Sequence, residues 1–335
     1  MQEPVHPDEP LIVSAGTRAV VPPARTTQNA PRRSAGVASR ELTLADLRSP
    51  RRSRRVVLPA ILFLATCAST FFAGATDWRP YLLLEDAGLA IRAAQAHWQQ
   101  GLAYMVAVLA ILIMHEMGHF LQAMRYGVPA SLPMFIPLPI AVTGTMGAVI
   151  GMEGSRANRR QLFDIGISGP IAGLLVAIPI VWFGIKNAEI TSGSSEFWPF
   201  GKPLIFDLMT SYLRPDLPVG KVLKLNPLLM AGWVGMLVTG LNMLPVSQLD
   251  GGHVIYGLWG RRSRWIARTL VIGTIIFMLV TDQYTWLVML ILILVLGVDH
   301  PHTYDDRVRL GVFRRVLGLA SLTIPIFCFT PILLL

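Results

Sequence analysis

Residues 101–124 read GLAYMVAVLAILIMHEMGHFLQAM, and Glu116 is the only Asp, Glu, Lys or Arg among them. As an α-helix this segment would extend about 36 Å, which is enough to cross the roughly 30 Å hydrocarbon core of a bilayer. Ionisable residues inside a spanning helix cost about 2.5 to 3.5 kcal/mol each on insertion scales. Three of them within five residues, at 115, 116 and 119, therefore indicate a functional site in the membrane.

The histidines of this segment have the spacing of a metal site. His115 and His119 are four residues apart, so both imidazoles lie on one face of a helix. An H-E-x-x-H pattern binds zinc through its two histidines, and the glutamate acts as general base. The pattern predicts His115 and His119 as ligands of a zinc ion and Glu116 as the base that activates water.

A catalytic zinc normally has three protein ligands, so the third must come from elsewhere in the chain. The glutamates after His119 are Glu153, Glu189 and Glu196, and none has an Asp or His four residues later. Asp250 instead ends the uncharged run 225–249, within the sequence NMLPVSQLDGGH at 242–253. This carboxylate is the predicted third ligand.

The predicted depth of these residues in the membrane supports the same three ligands. His115 and His119 precede Arg125 by ten and six residues, and Asp250 precedes Arg261 by eleven. If both arginines lie at the cytoplasmic surface, all three ligands can meet about a third of the way into the membrane.

Composition defines the class of protein around this site. Of 335 residues 53% are hydrophobic and 15% are charged, whereas soluble domains carry about 25% charged residues. The net charge of +9 comes from short clusters between apolar spans, so we expect a lipid bilayer rather than nucleic acid as the partner. Nearly uncharged runs predict about seven transmembrane helices, at 56–76, 101–124, 162–185, 226–258, 265–281, 284–298 and 315–335.

The predicted fold is an all-α polytopic membrane protein with four parts. They are a disordered basic cytoplasmic tail (1–55), a first transmembrane helix with an outer connection (56–100), a catalytic core (101–260) and C-terminal transmembrane helices (261–335). Residues 126–152 contain four prolines and several glycines, which predicts a re-entrant loop or β-hairpin. Arginine-rich inner loops place the N-terminus in the cytoplasm, and a tail without transit-peptide character favours a bacterial inner membrane.

The two motifs together resemble the site-2 proteases, peptidase family M50, which combine H-E-x-x-H on one core helix with N-x-x-P-x-x-x-x-D-G on a later one. Asn242, Pro245, Asp250 and Gly251 match the second motif. The resemblance covers residues 100–260 and is closest to the branch without a PDZ domain, which includes the chloroplast EGY-like proteases. The longest loop, 186–224, has about 39 residues and is too short for a PDZ domain.

The resemblance implies a three-helix core that binds one zinc ion per chain through His115, His119 and Asp250. It implies Glu116 as the catalytic base, and Asn242 as a group that stabilises the oxyanion or orients the scissile peptide. The implied activity is regulated intramembrane proteolysis of transmembrane protein substrates.

Several features keep two interpretations. Asn242 could instead hydrogen-bond a neighbouring helix, and His253 could cap a helix or contact a metal-binding group. The glycines of 144–150 fit either a strand edge for substrate or a simple turn. Those of 166–173 indicate helix packing. Residues 299–306 could bind metal in principle and are interpreted as a polar cytoplasmic turn. A transporter, a catalytically silent relative and a CAAX-type protease are the alternative functions. The first leaves Glu116 unexplained, the second does not need an intact base, and the third would need a glutamate as third ligand.

Overall fold

A computed structural model describes residues 56–192, 201–282, 284, 287–301 and 303–328. The tail predicted at 1–55 and the end of the span predicted at 315–335 lie outside the described residues. The helices are α1 (Val57–Ala75), α2 (Leu82–Glu85), α3 (Ala87–Ala96), α4 (Trp98–Arg125), α5 (Arg159–Lys186), α6 (Leu204–Leu213), α7 (Pro227–Asn242), α8 (Asp250–Trp259), α9 (Ser263–Thr281), α10 (Leu287–Leu296), α11 (Val312–Ser321) and α12 (Ile324–Cys328). The strands are β1 (Met134–Pro137), β2 (Thr145–Val149), β3 (Ile190–Thr191) and β4 (Val222–Leu223).

The helices confirm a mostly helical membrane protein. Within the described residues four segments are long and apolar enough to cross a bilayer: α1, α4, α5 and the run Asp250–Thr281, in which a short 3₁₀ turn joins α8 to α9. Helix α7 has 16 residues and α10 has 10, so seven crossings remain a prediction.

The segment predicted as one span at 226–258 is divided into α7 and α8 by the turn 243–249. Pro245 has no N–H to continue a helix, and Ser247 has a left-handed backbone with φ 55°. Helix α8 then starts tightly against this turn. A Cβ on Gly251 would lie 2.2 Å from the Met243 carbonyl oxygen, so only glycine fits there without a shift. The turn thereby places Asp250 at the first residue of α8.

Helix α5 is at the centre of the bundle and packs against α4, α7 and α8. Small residues allow the close approach. A Cβ on Gly118 of α4 would lie 2.6 Å from the Ser168 carbonyl oxygen of α5, and one on Gly232 of α7 would lie 2.3 Å from the Val181 side chain. Buried side chains of these helices, such as Trp233 of α7, belong to the main apolar core. The close packing of α4, α7 and α8 against α5 holds these helices in fixed relative positions.

Residues 126–152 contain an antiparallel β-hairpin, in which β1 pairs with β2 from Met134↔Val149 to Pro137↔Thr145. The predicted hairpin is present, and its re-entrant position in a membrane stays a prediction. Helix α1 holds the hairpin through a hydrogen bond of 2.7 Å from Ser69 Oγ to the Gly144 carbonyl oxygen. Tyr104 of α4 donates a second bond of 2.7 Å to the Thr143 carbonyl oxygen. The hairpin is therefore attached to two predicted membrane helices.

Candidate metal centre and active site

Helix α4 presents three ionisable side chains to the interior of the bundle. His115, Glu116 and His119 are 1%, 4% and 5% exposed. The four-residue spacing places the two imidazoles one turn apart, with ring centroids separated by 5.0 Å. Burying three such groups is costly unless each finds a partner or a metal ion. The α4 face is therefore a candidate site on physical grounds as well as on its motif.

Asp250 at the start of α8 provides the partner. One carboxylate oxygen, Oδ2, lies 3.1 Å from His115 Nε2, and the other, Oδ1, lies 3.2 Å from His119 Nε2. The three potential ligand atoms lie within 4.8 Å of one another, and no other group of three was found among the described residues. Two residues from α4 and one from α8 thus meet, although 131 positions separate His119 from Asp250.

The chemistry of this set fits a bound cation. His119 Nδ1 lies 2.7 Å from the Ile165 carbonyl oxygen, which can only accept, so Nδ1 carries the proton. In neutral His119 the lone pair of Nε2 then faces a carboxylate oxygen 3.2 Å away. Two lone pairs in contact repel each other, and a cation between them removes the repulsion. Two imidazoles and a carboxylate with an orienting carbonyl are a common set of zinc ligands.

Two glycines of α5 make room for the histidines. A Cβ on Gly169 would lie 2.0 Å from His119 Nε2, and one on Gly173 would lie 3.1 Å from His115 Nδ1. The sequence predicted a helix-packing role for these small residues. They do pack against α4, and what they contact is the pair of candidate ligands.

A cavity of about 410 Å³ adjoins the site, and Glu116, His119, Asn242 and Asp250 all line it. Asn242 is the last residue of α7, and its Nδ2 lies 3.4 Å from His115 Nε2. The end of β2 and the residue after it, 148–150, line the same cavity. The predicted base, the predicted amide and a strand edge therefore share one space beside the candidate ligands.

His253 and His300 also line this cavity, and His253 Nδ1 lies 2.7 Å from His300 Nε2. Sequence reasoning left His253 open and interpreted 299–306 as a polar turn. It also missed Ile165, whose contribution is a backbone carbonyl that no side-chain pattern reveals. The contact of His300 with α8 spans 47 residues and has no signal in local spacing.

An ion pair joins the C-terminal part to the core near this region. Arg314 donates two hydrogen bonds of 2.7 and 2.9 Å to the Asp164 carboxylate, and the Tyr126 hydroxyl donates a third. Burial raises the pKa of Tyr126, and the hydrogen bond to Asp164 raises it further. The phenol therefore keeps its proton and remains a donor. These contacts attach α11 to the ends of α4 and α5.

Comparison with known proteins gives the context for this geometry. The chain is 31% identical over 169 residues to "Probable zinc metalloprotease EGY1, chloroplastic" of Oryza sativa subsp. japonica, covering 49% of this chain and 29% of that protein. It is 27% identical over 168 residues to "Probable zinc metalloprotease EGY2, chloroplastic" of Arabidopsis thaliana, covering 49% and 30%. The chain thus spans about three tenths of the length of these relatives. Solved structures yielded no significant match.

The family assignment rests on a longer match. The description "Peptidase family M50" belongs to a family model that matches residues 103–281, which is more than half of the chain. The matched range includes most of α4 and all of the hairpin, α5, α7 and α8, and so contains every candidate ligand. This chain is a member of peptidase family M50.

Proposed function

We propose that this protein is an intramembrane zinc metalloprotease, which hydrolyses peptide bonds in or near transmembrane segments of other membrane proteins. The observation that carries the proposal is the convergence of His115, His119 and Asp250 beside Glu116, inside a bundle of predicted membrane helices. Membership of peptidase family M50 and relatives named as zinc metalloproteases support it.

His115, His119 and Asp250 would hold one zinc ion per chain. Bound zinc supplies a Lewis acid that polarises the scissile carbonyl and makes water more acidic. The protein contributes the orientation of the ligands: Ile165 fixes the His119 ring through Nδ1, and α8 presents the Asp250 carboxylate to both imidazoles.

Glu116 lines the cavity next to His119 and Asp250, where an attacking water would lie. Its carboxylate would take a proton from that water and then return a proton to the nitrogen of the leaving amine. Asn242 Nδ2 can donate a hydrogen bond in the same space. We propose that it stabilises the oxyanion or orients the scissile peptide.

A transmembrane substrate must lose helical structure before it is cut, because its peptide groups are internally hydrogen-bonded. Residues 148–150 of the hairpin line the cavity, so an unwound segment could pair with this strand edge. We therefore assign the hairpin two roles, as a pairing edge and as part of a gate. This arrangement would serve regulated intramembrane proteolysis.

The proposed orientation puts the N-terminus and the arginine-rich loops in the cytoplasm. The bacterial inner membrane remains the predicted location, whereas the relatives compared above are named as chloroplastic plant proteins. Modification of single cysteines placed at Lys224 and Arg264, by an impermeant thiol reagent, would test the orientation.

The first experiment measures zinc by elemental analysis in the detergent-purified protein, beside His119→Ala and Asp250→Ala. We expect about one zinc per wild-type chain and loss or weakening in both variants. Wild-type protein and Glu116→Gln are then reconstituted with a panel of single-span transmembrane peptides, and mass spectrometry identifies the products. Glu116→Gln should keep zinc and lose cleavage. A zinc-loaded wild type that cuts none of the panel would count for a silent relative, and unchanged cleavage by Glu116→Gln would reject the assigned base.

A further inference from the structure

The segment after α10, residues 297–301 and 303–306, is fastened to the site by backbone bonds, and we name it the strap. At its start, Ser247 of the α7–α8 turn donates its N–H to the Val298 carbonyl oxygen at 3.1 Å. Near its end, Tyr304 N–H donates to the Ala157 carbonyl oxygen at 3.0 Å, just before α5. The strap is therefore attached to the turn before α8, which begins at Asp250, and to the residues before α5.

Within the strap, His300 and Pro301 line the cavity that also contains Glu116 and His119. His300 Nδ1 lies 2.6 Å from the Pro301 carbonyl oxygen, and His300 Nε2 lies 2.7 Å from His253 Nδ1. The ring of His300 also stacks on Tyr256 of α8, with centroids 4.5 Å apart. These contacts fix both the position and the rotation of the His300 ring.

The two hydrogen bonds determine the tautomer of both rings when they are neutral. Because the Pro301 oxygen can only accept, His300 Nδ1 carries a proton and His300 Nε2 is left as an acceptor. His253 Nδ1 must then donate to it. His253 Nε2 is consequently unprotonated, and it is the nitrogen of this ring that does not bond to His300.

A peptide bound in extended form alternates the direction of its N–H groups, so pairing with one strand edge satisfies only half of them. Those facing away from residues 148–150 need another acceptor, since an unpaired N–H in a buried site is costly. His253 lies outside the group of three candidate ligands and lines the same cavity. An unprotonated Nε2 on His253 is an acceptor of the kind that these N–H groups need.

We infer that His300 is a positioning residue, which holds His253 in the tautomer whose Nε2 accepts a hydrogen bond from a backbone N–H of the substrate. The inference rests on the proposed function, because it requires a peptide in the cavity. It gives the strap a role in substrate binding instead of that of a passive polar turn.

Variants of His300 separate hydrogen bonding from simple support. His300→Gln can present an amide oxygen to His253 Nδ1 and should preserve the tautomer. His300→Leu has similar bulk and no acceptor, so His253 is free to protonate at Nε2. Asp299→Asn is the matched control. The substitution weakens the ion pair of Asp299 with Arg268, and Asp299 does not line the cavity.

The first measurement needs no substrate. Nitrogen NMR of ¹⁵N-histidine-labelled, zinc-loaded protein in detergent distinguishes the two imidazole tautomers, and His253→Gln identifies the signal of His253. We expect His253 protonated at Nδ1 in the wild type, in His300→Gln and in Asp299→Asn. The proton should move largely to Nε2 in His300→Leu.

The second measurement uses whichever transmembrane peptide the wild type cuts. An interaction made equally in ground and transition states changes KM alone. His300→Leu should raise KM about tenfold, equivalent to about 1.4 kcal/mol, with kcat within about twofold and zinc unchanged. His300→Gln should bring KM back to within about threefold of the wild-type value.

Three results would overturn the inference. They are an unchanged His253 tautomer in His300→Leu, an unchanged KM in that variant, or an equal loss of kcat and zinc in both the Leu and Gln variants, which would indicate support alone. If zinc-loaded wild type cuts no peptide, the proposed function and the substrate role fail together. The NMR result then still decides whether His300 sets the tautomer.

Discussion

Replacing Gly169 by alanine should remove the proposed zinc ion without altering any candidate ligand. In the present structure the added Cβ would lie 2.0 Å from His119 Nε2, 2.3 Å from Cδ2 and 2.4 Å from Cε1. Ordinary carbon contacts need about 3.5 Å, so the ring must retreat by roughly 1 Å or more. Zinc–ligand distances tolerate only about 0.2 Å. We expect the dissociation constant for zinc to rise at least 100-fold, about 2.7 kcal/mol.

The His119 ring cannot retreat freely, because Nδ1 is held at 2.7 Å by the Ile165 carbonyl oxygen one turn before Gly169 on α5. Alanine itself favours a helix over glycine by about 1 kcal/mol, so loss of helix α5 is not the expected cause. Gly173→Ala provides a graded comparison. Its Cβ would lie 3.1 Å from His115 Nδ1, and a shift of a few tenths of an ångström would relieve the contact.

The assay is zinc content after equilibration in buffers of fixed free zinc, with thermal unfolding in detergent measured on the same samples. Gly273→Ala is the matched control, since Gly273 lies within α9 and a Cβ there meets nothing within 4 Å. It should keep full zinc and unfold at the same or a slightly higher temperature. If Gly169→Ala binds zinc as tightly as Gly273→Ala, then His119 does not ligate in the described position and the reasoning is refuted.

Three further predictions concern the supports of the site. Arg314→Ala should lower the free energy of unfolding by about 2 to 3 kcal/mol, because it leaves the largely buried Asp164 carboxylate without its cation. Thermal unfolding of this variant, compared with that of the double variant Asp164→Ala, Arg314→Ala, checks the prediction. Tyr126→Phe should lower the free energy of unfolding by about 1 kcal/mol, because the hydrogen bond to Asp164 is lost. Since folding raises the pKa of Tyr126, this stabilisation is complete below pH about 10 and disappears as the pH rises through the raised pKa. Thermal unfolding of both proteins at increasing pH measures the loss. Gly144→Ala should expose the hairpin to limited proteolysis, because φ is 69° and its Cβ would lie 2.7 Å from the Ser69 carbonyl oxygen.

The candidate metal ligands were predictable because local spacing and hydropathy both constrain them. The interval between His115 and His119 places two imidazoles on one helix face whatever the rest of the fold does. Asp250 stood out because an uncharged run of 25 residues ends at it. Counting residues to the nearest arginines then gave the three residues a common depth. The structure places them in contact, and their function as ligands is what the zinc measurements test.

The break between α7 and α8 was harder to place. Hydropathy is high on both sides of residues 243–249, so an average over a window shows one span at 226–258. Pro245 indicates irregular backbone without giving its extent. The left-handed Ser247 and the contact of Gly251 with the Met243 oxygen are tertiary facts. They decide where α8 begins, and therefore which way Asp250 faces.

The strap shows a different limit. Residues 299–306 contain several polar and ionisable side chains, a composition typical of an exposed turn. Its contacts reach back 47 residues from His300 to His253 and 50 from Asp306 to Tyr256. Contacts over such distances leave no periodic pattern in one sequence. Only the structure shows that His300 and Pro301 line the same cavity as Glu116.

Helix α5 contributes no candidate ligand, yet it lies against both candidate histidine ligands. Gly166, Gly169 and Gly173 lie three and four residues apart and so share one face of the helix. A Cβ at these positions would meet the side chains of His253 at 2.6 Å, His119 at 2.0 Å and His115 at 3.1 Å. From the sequence this stripe is indistinguishable from ordinary small-residue packing, because both need the same missing Cβ atoms. In the structure the glycines contact three imidazoles, so the stripe provides the space that these side chains occupy. A larger residue at one of these positions should therefore affect metal binding before it affects folding.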